Sequence, residues 1–119
     1  MKRLLLTSLT LGLLTACAPD AWQNLRAGEF NRYLDRVQAE CQPLWIGPLL
    51  LQSMPPVDGL GVYDPWLDAT SRLFYKRITE AEYRNFVTSQ WPGNLTTASV
   101  NCLLAKLPAD RPEAPSGRW

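Results

Sequence analysis

"DPWLDATSRLFYKRITEAEYRNFVTSQWPG", residues 64–93, decides the fold class. Asp64 is suited to cap a helix and Pro65 to occupy its first position, where a missing N–H costs nothing. Trp66, Leu67, Leu73 and Phe74 then share one face, which predicts a helix over 64–77. At the joint, Thr79 can accept from the Glu82 backbone N–H while the Glu82 carboxylate reaches back to Thr79. Ile78 and Tyr83 flank this capping box as a hydrophobic staple. The second helix, 80–90, continues from Tyr83 through Phe86 and Val87 to about Gln90 and stops at Pro92-Gly93. Two capped helices on a short joint make a helical hairpin.

Working outward, residues 20–41 carry Trp22, Leu25, Phe30, Tyr33, Leu34, Val37 and Cys41 at spacings of three and four, one stripe along a helix. Asp20 is its expected N-cap, Pro43 ends it, and Gly28 weakens its middle. Residues 96–107 repeat the pattern with Val100, Leu103, Leu104 and Leu107 behind Thr96 or Thr97 as cap, and Cys102 at the edge of the stripe. The chain therefore reads as all-α, a small bundle of about four helices: 20–41, 64–77, 80–90 and 96–107. Between the first two lies 42–63, too rich in proline and glycine for one long element and too apolar for a solvated linker. A helical turn over 48–53 fits there. Residues 108–119, with three prolines and few apolar groups, read as a disordered tail.

The N-terminus carries a different signal. Met1-Lys2-Arg3 is a basic head, and residues 4–14 are an apolar run too short for the ~20 residues that span a bilayer. Such a segment is a removable leader, residues 1–16, and stays outside fold reasoning. Its exit, Leu14-Thr15-Ala16-Cys17, resembles the lipobox of bacterial lipoprotein precursors. The resemblance covers residues 1 to about 20. It implies cleavage before Cys17, a diacylglyceryl thioether on its sulfur and an acylated new amine, so the domain 17–107 is tethered by lipid. Two or more acyl chains hold stably where one is marginal. In that class, Asp directly after the cysteine retains a protein in the inner membrane. Here Ala18 follows, which implies the periplasmic face of the outer membrane.

With Cys17 assigned to lipid, Cys41 and Cys102 remain of three cysteines. An even pair in an oxidising compartment reads as a disulfide, the alternative being two buried thiols. The leader takes Lys2 and Arg3, leaving 10 of 12 basic side chains against 11 acidic ones. That balance offers no footprint for nucleic acid or for an anionic lipid surface.

Histidine is absent from the chain, which excludes His-based triads and His-ligated zinc. No catalytic residue, metal site or cofactor is expected beyond the covalent lipid on Cys17. Asp64 with Asp68, and Glu80 with Glu82, are carboxylate pairs that helix capping and the helix dipole explain better than glycan cleavage does. Trp45, Ile46, Leu49, Leu50, Leu51 and Met54 either close the core or form a docking patch for a partner.

The joint "YKRITEAEY" resembles the G-x-I-T-x-x-E-[YF] joint of helix-pair modules in bacterial envelope proteins, without their glycine. In outline the chain is also similar to secretin pilotins: a lipobox, a small helical domain and, in one group, a first-to-last-helix bridge. The expected function is thus a non-catalytic outer-membrane lipoprotein that binds or supports an envelope protein partner. A pilotin-like assembly factor, a cell-wall-acting enzyme or inhibitor and a phage-type lysis lipoprotein are the alternatives.

Overall fold

The computed structural model describes residues 28–52 and 59–113. Among them are four helices and one hairpin: α1 Gly28–Glu40, β1 Leu44–Ile46, β2 Leu49–Leu51, α2 Tyr63–Phe74, α3 Glu80–Gln90 and α4 Asn94–Ala105.

α1 buries Phe30, Tyr33, Leu34 and Val37, the predicted stripe, and Cys41 follows it into the core. Residues 20–27 of the expected first helix lie outside the described residues. α3 carries the predicted capping box in full: Glu82 N donates to Thr79 Oγ1 at 3.1 Å, and Thr79 N to Glu82 Oε2 at 2.7 Å. Ile78 packs against the core that holds Tyr83.

Several helix boundaries differ from expectation, α4 for instance ending at Ala105 rather than 107. α2 is capped by Val62 without a side-chain bond. Asp64 sits inside its first turn, where a carboxylate faces the positive end of the helix dipole. α2 also ends at Phe74 rather than Arg77. Lys76 takes φ +59, and Lys76 N and Arg77 N donate back to Leu73 O (3.1 Å) and Arg72 O (2.8 Å). That bond pair is a Schellman stop, which normally places glycine at the left-handed position. α4 begins at Asn94 behind Gly93, with no side-chain cap, because Thr96 is buried and occupied elsewhere.

The all-α expectation is corrected by the two-stranded antiparallel sheet within 42–63. Its register pairs Leu44 with Leu51, Trp45 with Leu50 and Ile46 with Leu49. The expected helical turn over 48–53 does not form. Gly47, at φ +56, supplies the positive-φ first position of a two-residue hairpin turn, and Pro48 follows with its fixed φ. A Cβ on Gly47 would lie 2.8 Å from the Trp91 ring, so the turn is pressed against the end of α3. The exposed edge of β1 is satisfied by α4. Trp45 N donates to Ser99 Oγ and Gly47 N to Thr96 Oγ1, both at 2.8 Å. Thr96 and Ser99, three residues apart on one helix face, thus stand where a third strand would.

The core is aromatic at its centre. Phe74 packs against Tyr33 and Phe30, each at 5.4 Å between ring centroids, and edge-on against Tyr75 at 5.0 Å. Tyr33 hydroxyl donates to Leu103 O at 2.8 Å, joining α1 to α4, and Tyr83 hydroxyl pairs with Thr70 Oγ1 at 2.9 Å, joining α3 to α2. Tyr33, Tyr63, Tyr75 and Tyr83 are all buried, and burial pushes each phenol's pKa up, Tyr63 to about 12. Cys41 and Cys102 form the expected disulfide, which staples the end of α1 to α4. Beside it Lys106 Nζ meets Glu40 Oε2 at 2.8 Å and holds that exposed carboxyl's pKa below the usual value.

The tail expectation needs one correction. Residues 108–113 are placed: Arg111 Nε donates to Leu73 O at 3.3 Å and Nη1 to Pro108 O at 3.4 Å. A carbonyl near the end of α2 lacks a full set of helical partners and is open to such a donor. Residues 114–119 lie outside the described residues.

Candidate functional surfaces

The residues singled out in 42–63 divide by strand alternation. Ile46, Leu49 and Leu51 point into the core with Leu44, whereas Trp45 and Leu50 are half-buried cross-strand partners on the other face. Only these two therefore offer apolar side chains outward from the hairpin. Met54 and Cys17 lie outside the described residues. A second apolar feature comes from α3. Phe86 is 37% exposed and meets the half-buried Trp91 edge-on at 6.0 Å. Leu95 and Leu60 are each 60% exposed.

Phe86 also borders a cleft of about 470 Å³ between α2 and α3, with Ala69, Ile78, Asp68 and Glu82 in its wall. The structure brings Asp68 and Glu82 to this one cleft from different helices. The sequence had paired Asp64 with Asp68 and Glu80 with Glu82 on single helices. Both cleft carboxylates are engaged: Asp68 Oδ2 with Arg72 Nε at 3.0 Å, Glu82 Oε2 with the Thr79 backbone. Among the described residues no group of three His, Cys, Asp or Glu is placed to hold a metal ion, and no helix is long and apolar enough to cross a membrane.

A second cavity, of about 380 Å³, lies where α1 meets the segment after α4. Arg32 and Arg36 reach it from α1 and Arg111 from residues 108–113, above the buried rings of Tyr33 and Phe74. Glu29 and Asp110 also line it. Sequence reasoning missed this cluster. Arg32 and Arg36 were visible as one face of the first helix, but Arg111 fell in a stretch whose composition reads as tail.

Comparison of the chain with protein-family models, with curated proteins and with solved structures finds no significant match.

Proposed function

We propose that this chain is a non-catalytic bacterial lipoprotein, tethered through lipid on Cys17 at the periplasmic face of the outer membrane, whose small domain binds or supports an envelope protein. The observation that carries this reading is the disposition of the cysteines. Of three in the chain, Cys41 and Cys102 are bridged, so the one left over is the cysteine at the end of Leu14-Thr15-Ala16-Cys17. A bridge suits an oxidising, exported setting, and a lone cysteine directly after a short apolar leader suits lipidation. Engagement of Asp68 and Glu82 in structural contacts favours binding over catalysis. Trp45 and Leu50 are the outward apolar pair that the hairpin in 42–63 offers to a partner.

In-cell crosslinking followed by purification from membranes tests the partner. The native chain should capture an envelope protein, and Trp45→Ala with Leu50→Ala should lose it. Capture of nothing, or capture unaffected by Cys17→Ala and by the hairpin variants, removes the adaptor reading. A pilotin-like role is the second reading, favoured by the bridge from the end of α1 to α4. It requires that deleting the protein deplete secretin multimers from the outer membrane.

A further inference from the structure

The α1 cavity has a charge pattern that the domain's own folding does not need. Arg32 and Arg36 are one turn apart on α1, so their like charges repel. Among the described residues neither makes a salt bridge, although Arg36 is close enough to Glu40 to help lower that carboxyl's pKa. The Arg32 guanidinium instead lies back along α1, with Nη1 3.2 Å from where a Gly28 Cβ would stand. Arg111 completes the set from a distant part of the chain. Its bonds to Leu73 O and Pro108 O fix its position yet leave guanidinium donors free. Three arginines that line one concave space, the third held by carbonyls, offer N–H donors suited to the oxygens of a phosphate group. Glu29 and Asp110 line the same space and would attract an amine. The combination complements a ligand that carries phosphate and ammonium together.

We propose that this cavity binds the head group of a phosphoethanolamine-type phospholipid, its phosphate against Arg32, Arg36 and Arg111 and its amine against Glu29 and Asp110. The lipid source, as distinct from a free phosphate compound, rests on the lipoprotein reading above. Gly28 lies eleven residues along the chain from Cys17, a length that reaches at most about 40 Å. The cavity lies on the first turns of α1, the part of the described fold nearest in sequence to the tether. Head-group binding would therefore set which face of the domain lies on the membrane.

The test uses the full chain in a phosphate-free maltoside detergent, with glycerophosphoethanolamine and inorganic phosphate as soluble probes. Phosphatidylcholine vesicles with and without phosphatidylethanolamine form the membrane arm. Glycerophosphoethanolamine should bind saturably and more tightly than phosphate. Arg32→Gln and Arg36→Gln, exposed substitutions that leave the core intact, should each weaken it about tenfold, as loss of a charge-assisted bond does. Glu29→Gln should weaken glycerophosphoethanolamine but not phosphate. Vesicle binding should require phosphatidylethanolamine and both arginines. No binding of either probe, or binding indifferent to the arginines, overturns the site. Equal binding of both probes with no response to phosphatidylethanolamine overturns the lipid assignment. Because the soluble probes do not depend on the tether, the chemical state of Cys17, read separately by mass, shows whether the lipoprotein reading has failed instead.

Discussion

Lys76 occupies the left-handed position that ends α2, at φ +59, although a side chain there crowds its own backbone. Glycine removes the crowding, so Lys76→Gly should stabilise this protein, against the usual direction of glycine substitutions. The strain on an L-residue in this conformation is roughly 1–2 kcal/mol. Glycine's greater freedom in the unfolded chain offsets about 0.4–1 kcal/mol of that. Lys76 is exposed, so little packing is lost, and both backbone bonds of the stop, Lys76 N to Leu73 O and Arg77 N to Arg72 O, survive the change. The net expectation is a gain of about 0.5–1 kcal/mol. For a domain of this size that is roughly 2–8 °C in Tm. Urea melts of the native chain, Lys76→Gly and Lys76→Ala test it. The glycine variant should unfold at higher urea with unchanged slope, and the alanine variant, which keeps the crowding, should not gain. A neutral or destabilised Lys76→Gly would refute the assignment of a strained Schellman stop.

Other consequences follow from the contacts that tie the elements together. Thr96→Val strips the acceptor from the Gly47 turn amide and Ser99→Ala from the Trp45 amide of β1, and each should cost about 1–3 kcal/mol. The Trp45 and Gly47 amides should then exchange hydrogen faster, and unchanged exchange would contradict the clamp. Cys41→Ala with Cys102→Ala opens a loop with a sequence separation of 61. Chain entropy puts the loss near 4 kcal/mol, so a urea midpoint that barely moves would contradict the staple. All four tyrosines have raised folded-state pKa values, so the stability they contribute is complete below the unfolded value of about 10 and is lost as pH rises through the folded values. Phenolate absorbance should stay absent at pH about 10 and appear only at higher pH, together with unfolding. A tyrosine titrating freely near 10 in the native protein would contradict their burial.

The sequence makes local rules legible and distant partners illegible, and the α2–α3 joint shows both. The capping box at Thr79 and Glu82 needs residues three apart, so it can be read directly. The stop at Lys76 was hidden because the residue that marks such stops, glycine, is missing. The hairpin was hidden for a different reason. In Leu44-Trp45-Ile46 and Leu49-Leu50-Leu51 both faces are apolar, so the period of two that distinguishes a strand leaves no trace. What fixes this segment as a strand pair includes the hydroxyls of Thr96 and Ser99, 49 and 54 residues away. Thr96 itself reads locally as a cap, and tertiary contact outweighs that preference. The same distance concealed the arginine cavity. Arg111 belongs by composition to a tail, and its bond to Leu73 O at the end of α2 places it in the cavity that α1 also lines.

The most direct test of the account is the intact mass of the N-terminal peptide of the protein recovered from a bacterial host. The account predicts a peptide that begins at Cys17, with residues 1–16 gone and the mass of a diacylglyceryl group plus an amide-linked acyl chain added. A peptide that retains Met1, or one that carries Cys17 as an unmodified thiol, would contradict it.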